Sequence, residues 1–235
     1  MILDESQSVG MIGAHGRGVT EQYGCSPDDV DILVGSMATG LAAGGGFCSG
    51  SSVVVDHQRI NGSAFVFSAA LPALLATAAS TSITILKSQP NLLTTLQSNV
   101  AIMRASLARL EQSADGPINP EAIIDVPSDP ASALIHIFLL HPPATLELEE
   151  KLLQDVVDEA LANGLLVTRS RRLRGQETFE PEPSLKVCVT AALQKKDMEK
   201  AASVLRHALI KVVGSTYQLS FVEHCAFTDA TERRA

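Results

Sequence analysis

The chain has 235 residues, a net charge of -8, 46% hydrophobic residues and four cysteines. That length is enough for one large or two smaller cores, and the negative balance argues against a nucleic-acid partner, which would lean on clustered Lys and Arg. Cys25, Cys48, Cys188 and Cys225 show neither Cys-x-x-Cys spacing nor the density of a disulfide scaffold, so they read as reduced thiols of a cytosol-facing protein.

In chain order, Met1-Ile2-Leu3 is the stub of a strand that runs straight into Asp4-Glu5-Ser6 and a glycine ladder, Gly10, Gly13, Gly16 and Gly18. Residues 18–24 read as a short helix closed by glycine. Short apolar strands are expected at 32–34 and 52–55, separated by glycine-rich turns. The richest apolar run, 64–79, is broken by Ser68 and Pro72 and falls short of the ~18 uninterrupted residues that a membrane span needs. It reads as a packed strand, turn and helix. No secretory signal precedes Asp4. A long helical stretch covers roughly 74–110, interrupted near Gln89-Pro90. A strand at 133–140 stops at His141-Pro142-Pro143, and an amphipathic helix follows with Leu148, Leu152, Val156, Val157, Ala160 and Leu161 on one face and Asn163-Gly164 as its stop. Two more strands are expected at 165–168 and 185–190. The last helix, about 197–213, buries Ala201, Val204, Leu205, Ala208, Leu209 and Val212. Residues after Gly214 carry little pattern and read as a mobile tail.

The organisation is therefore α/β: residues 1–79 as part of a larger strand-and-helix domain, 80–213 as a small α+β domain, and 214–235 as the tail. His15, His136, His141, His207 and His224 fall on separate elements without ligand spacing, so no metal is assigned. Arg169, Arg171, Arg172 and Arg174 read as a solvated loop, with a phosphate or an anionic membrane surface as the less favoured partner.

Asp4-Glu5-Ser6 with its glycine ladder, followed by the segment from Asp31 to Phe47, resembles the α-oxoamine synthases. These are pyridoxal-phosphate enzymes of the aspartate aminotransferase-like fold that condense an amino acid with an acyl-CoA. The resemblance covers roughly residues 3–213 and implies the C-terminal half of the family's large domain followed by its small α+β domain. It also implies that a longer protein supplies the rest. The family carries Thr-x-x-Lys-x-x-Gly-x-x-Gly-Gly, whose lysine holds the cofactor. Aligned on Gly45-Gly46-Phe47, that lysine is Thr39 here, and the first lysine of the chain is Lys87. A hydroxyl cannot form an imine with an aldehyde, so covalent catalysis at this position is excluded.

Other departures run the same way. The family histidine three residues after the aspartate is Gln7. Asp4, the residue that would pair with the pyridine nitrogen, is retained, or serves only as a strand-end residue opening the loop. Lys186 stands where the family has an arginine that grips the substrate carboxylate, and a lysine lacks its planar fork. Leu193 stands at a family histidine.

Phe47-Cys48, the stretch from Val55 to Gly62, and Phe67 to Pro72 resemble the non-catalytic subunit of a heterodimeric member. That resemblance implies a catalytic partner subunit holding the pyridoxal phosphate, with the amino acid and acyl-CoA at the shared site. It implies the cytosolic face of the endoplasmic reticulum membrane, with the anchoring region outside this sequence. Ser68 then sits beside the partner's cofactor phosphate, or else caps the helix begun at Pro72. His57 and Arg59 fall in the subunit-specific stretch as interface or turn residues. An active homodimeric synthase, opposed by Thr39, and a fragment without function of its own remain as alternatives.

Overall fold

The structure, a computed structural model, describes residues 1–111, 119, 122–171, 175–176, 178 and 181–214. The expected tail beyond Gly214, together with Arg172, Arg174, His224 and Cys225, lies outside the described residues. The chain divides into two compact units, Met1–Ser98 with Ala131–Ala133, and Asn99–Pro130 with Leu134–Ala235.

In the first unit, β1 (Ile2–Asp4), β2 (Ile32–Ser36) and β3 (Gly46–Gly50) form a sheet in that order. β1 and β2 are parallel, Ile2 beside Ile32 and Asp4 beside Val34, whereas β2 and β3 are antiparallel, Ile32 beside Gly50 and Ser36 beside Gly46. The short helix α1 (Val19–Gln22) lies where expected, followed by a 3-10 turn, Pro27–Asp29, entered through Ser26. The expected strand at 52–55 is instead the start of helix α2 (Ser52–Asn61). Val53-Val54-Val55 has strand propensity, but the antiparallel partner of β2 is supplied by the glycine-rich segment before it. Tertiary pairing overrides a weak local preference.

Helices α3 (Ser63–Val66), α4 (Ala73–Ser88) and α5 (Asn91–Leu107) follow, with the break at Gln89-Pro90 as expected. The apolar cluster of this unit is Met37, Leu41, Ala43 and Ala79, with Phe47, Ala78 and Leu86 against it. The first unit extends past residue 79 because α4 and the start of α5 are tied to it. Ser82 Oγ donates to the Leu41 carbonyl at 2.7 Å, and Gln97 Nε2 to that of Met11 at 3.1 Å.

The second unit is a four-stranded antiparallel sheet in the order β4 (Ile124–Asp125), β5 (Leu134–Leu139), β7 (Leu185–Cys188), β6 (Thr168–Arg169), with helices α6 (Leu146–Ala162) and α7 (Lys195–Leu209). Arg169, paired with Leu185 across the strands, reaches Glu150 and Gln154 of α6, so α6 covers the face that carries Leu185, Ile135 and Ile137. Those residues join Leu153, Val156, Leu205 and Leu209 in the core.

The α6 stripe differs from expectation. Leu148 and Leu161 are exposed, while Glu149, Leu152, Leu153, Val156, Val157 and Ala160 face inward, an i, i+3, i+4, i+7 pattern that opens on a glutamate. On α7 the inward residues are Met198, Ala202, Leu205, Ala208 and Leu209, with Ala201 and Val204 half-buried. The helix ends in a π turn, Ile210–Gly214, whose extra residue carries Val213 rather than Val212 into the core.

Candidate functional site

The loop after β1 is organised by a carboxylate that sequence reasoning did not single out. Glu5 is fully buried. Its Oε1 and Oε2 accept the Val19 N–H at 3.1 and 2.9 Å, Oε1 also accepts the Thr20 N–H at 3.4 Å, and the Ser8 hydroxyl donates to Oε2. A buried carboxylate is tolerated only with such donors around it. Gly18, at φ 98°, leaves the room: a Cβ there would fall 2.3 Å from Glu5 Oε2. A second carboxylate, Glu21, gathers the N–H groups of His15 and Arg17 at 2.9 and 3.1 Å and the His15 ring at 2.6 Å. The glycine ladder is thus folded around two acidic side chains.

This loop meets the segment that follows β2. Ser6 Oγ accepts the Ser36 N–H at 2.9 Å. Gly40 passes so close to the Val9 carbonyl that a Cβ on it would lie 2.0 Å from the oxygen. Asp4, Gln7 and Thr39 are therefore carried on loops packed side by side. Asp4 is exposed at the end of β1, and its Oδ1 accepts the Ser6 N–H at 2.8 Å. Hydrogen bonding from Ser6 holds its carboxyl below the ordinary carboxylate value, so it is ionised at neutral pH. Gln7 and Thr39 are exposed, and neither brings an amine. Ala42, three residues beyond Thr39 where the family motif has a glycine, is at φ 50°, a left-handed conformation for a residue with a side chain.

The 44–45 turn reaches the segment of Ser68. A Cβ on Gly45 would meet Leu71 Cδ1 at 2.6 Å, and one on Gly44 would meet Leu75 Cδ1 at 3.2 Å. Ser68 itself does not cap α4: its hydroxyl donates to the Ala64 carbonyl, and Pro72 at the start of α4 has no side-chain cap. A polar cap is replaced there by a proline, whose fixed φ suits a helix start. His57 lies on α2 rather than on a turn, with its Nδ1 3.1 Å from Asn61 Nδ2, and Arg59 is exposed in the last turn of the helix.

From α2 to the start of α4 several large apolar side chains stand exposed. Val53, Ile60, Phe67 and Leu74 are 77%, 73%, 86% and 78% exposed, and α2 and α3 bury none of their residues. Large apolar side chains exposed in this number suit a surface covered by further polypeptide.

In the second unit, Lys186 is half-buried on β7, paired across the strands with His136 on β5 and Thr168 on β6. The turn after β7 is pinned by Asn99, whose Nδ2 donates to the carbonyls of Thr190 and Leu193 at 2.9 and 3.0 Å. Arg169 is engaged by Glu150 and Gln154 and is not a free anion ligand; Arg171 is exposed. Among the described residues no group of His, Cys, Asp and Glu could hold a metal, and no helix is long and apolar enough to cross a membrane.

These residues do not fit a covalently held pyridoxal phosphate, because the loops around Asp4 and Thr39 contain no amine. What they retain is an exposed anionic carboxylate, a set of hydroxyls and a glycine-rich backbone.

The chain is 37% identical to serine palmitoyltransferase 1 of Dictyostelium discoideum over 88% of its length and 42% of that protein's. It is 33% identical to serine palmitoyltransferase 1 of Saccharomyces cerevisiae over 89% and 42%. It thus spans less than half the length of these relatives. A solved lysine-to-alanine variant of the serine palmitoyltransferase of S. paucimobilis, with a pyridoxal phosphate–myriocin aldimine bound, shares the fold at a TM-score of 0.69 and 20% identity, covering 90% of this chain and 47% of that one. Residues 1–205 match the family described as aminotransferase class I and II. The chain belongs to the aminotransferase class I and II family.

Proposed function

We propose that the chain is a non-catalytic subunit of serine C-palmitoyltransferase, the pyridoxal-phosphate enzyme that condenses L-serine with palmitoyl-CoA to 3-ketosphinganine in sphingolipid biosynthesis. The observation that carries this reading is the hydroxyl of Thr39 at the cofactor lysine's place, in a loop that is otherwise folded and packed against the Asp4 turn. In this reading the catalytic long-chain-base subunit holds the cofactor. Asp4, Gln7, Thr39 and Ser68 line the wall of the shared site, and Lys186 faces the substrate carboxylate. The first unit is the remainder of the large domain, the second is the small domain, and the complex works on the cytosolic face of the endoplasmic reticulum membrane.

The apolar surface of α2–α4 supports a heterodimer. Burying a large aliphatic or aromatic side chain contributes about 1.5–3 kcal/mol, and Val53, Ile60, Phe67 and Leu74 are each largely exposed. The test is co-expression with the catalytic subunit from the same source and purification through a tag on this chain. The partner is expected to co-elute, and the Val53→Glu/Phe67→Glu double variant to release it while its circular dichroism stays that of the wild type. Absence of the partner from the wild-type eluate would sink the reading.

A further inference from the structure

The strand register of the second unit builds a polar row on the sheet face turned away from α6. His136 of β5 stands opposite Lys186 of β7, which stands opposite Thr168 of β6. Directly opposed side chains sit about 5 Å apart at Cβ. The histidine is held in place, its Nδ1 3.0 Å from the buried Ser184 hydroxyl and its ring stacked on Phe138 at 6.4 Å between centroids. Lys186 makes no ion pair among the described residues. The carboxylate that the register brings to this face, Asp125, opposes Phe138 rather than either cation, and Glu111 interacts with Asp125 at the β4 side.

The Lys186 ammonium and the His136 ring stand side by side on this face, so an anion seated between them would draw a charge-assisted hydrogen bond from the first and, once the ring is protonated, from the second. We infer that Lys186 and His136, with the Thr168 hydroxyl, form an oxyanion-binding pair that takes a carboxylate or a tetrahedral phosphate-type group, and that protonation of His136 sets its grip. The inference deepens the reading of Lys186 as the carboxylate-facing residue and rests on it for biological meaning. Burial first, and Lys186 second, push the His136 imidazole below its ordinary value. Without an anion the imidazole is neutral at pH 7, leaving Lys186 as the single positive group. With an anion seated, the imidazolium is stabilised and donates its second N–H to the ligand.

The test uses the full chain labelled with 13C at the histidine ring. The six histidines are resolved and His136 is assigned with His136→Gln. Titrations run from pH 5 to 8 at constant ionic strength in chloride, in sulfate, whose charge is constant over that range, and in acetate above pH 6. The expected result is a His136 midpoint raised by sulfate, by acetate or by both, with affinity about tenfold higher at the acid end for each pK unit of the rise. Response to acetate alone identifies a carboxylate site and response to sulfate alone a tetrahedral one. Lys186→Met should abolish the anion response and by itself raise the midpoint in chloride, while Lys186→Arg should preserve the response. An identical midpoint in all three salts, or a response that survives Lys186→Met, overturns the proposal. The catalytic subunit takes no part in this measurement, so a null result leaves the heterodimer reading standing, and a failed co-purification leaves the titration intact.

Discussion

Replacing Glu5 by alanine should destabilise the first unit through three identifiable losses. The Val19 N–H, now shared between Oε1 and Oε2 at 3.1 and 2.9 Å, would have no acceptor, and the Thr20 N–H would lose its longer bond of 3.4 Å. An orphaned buried donor costs about 1–3 kcal/mol. The Ser8 hydroxyl loses less, because the Glu5 carbonyl lies 3.2 Å away and survives the truncation. Removing the fully buried side chain adds a small cavity beside Gly18, about 1 kcal/mol. The total is about 3 kcal/mol for Glu5→Ala and about half that for Glu5→Gln, which keeps the shape and one acceptor but loses the charge. Urea denaturation followed by circular dichroism gives the free energies, and hydrogen exchange at the Val19 and Thr20 amides locates the effect. An alanine variant within about 0.5 kcal/mol of the wild type, with unchanged exchange at both amides, would mean that Glu5 does not hold this loop.

Three other outcomes follow from single contacts. Ala42→Gly relieves a left-handed residue with a side chain and should stabilise the chain by about 0.5–1 kcal/mol, read as a higher urea midpoint. Asn99→Ala leaves the carbonyls of Thr190 and Leu193 unpaired at a cost of about 2 kcal/mol, and Asn99→Asp costs more because it faces those carbonyls with a carboxylate; thermal unfolding of both variants checks the order. The His136 imidazole titrates below its ordinary value of 6.5 when folded, so in anion-free buffer the unfolded chain binds more protons as pH falls below 6.5. Its contribution to stability is therefore present above that pH and lost toward the folded value. Unfolding free energies at pH 7.5 and 5.5 should differ more for the wild type than for His136→Gln.

Much of the fold was written in period and punctuation. The Gln89-Pro90 break, the Asn163-Gly164 stop and the end of β5 before His141-Pro142-Pro143 all correspond to elements with nearly the expected bounds. The errors arose where tertiary pairing outweighed local preference. A valine run became a helix because the glycine-rich segment before it had already paired with β2. The π turn at Ile210–Gly214 moved the buried face by one residue, and no residue type announces such a turn.

In the site, the absence of a lysine around Thr39 was legible, since it needs only the chain itself. Glu5 was not, because a glutamate beside an aspartate at a strand end reads as solvent-facing until its donors, fourteen and fifteen residues later, are seen in space. The His136–Lys186 row was equally hidden. It depends on strand register, which brings together residues separated by a helix and a long connection.

In the proposed heterodimer this chain holds no cofactor of its own and completes a site whose lysine belongs to the partner. The most direct measurement is to purify the chain together with the catalytic subunit, confirm the visible absorbance of lysine-bound pyridoxal phosphate, reduce with borohydride, and locate the pyridoxyl group by mass spectrometry of the digest. The label is expected on a lysine of the partner and on none of this chain. A pyridoxyl group on Lys87, Lys186 or any other lysine of this chain would contradict it.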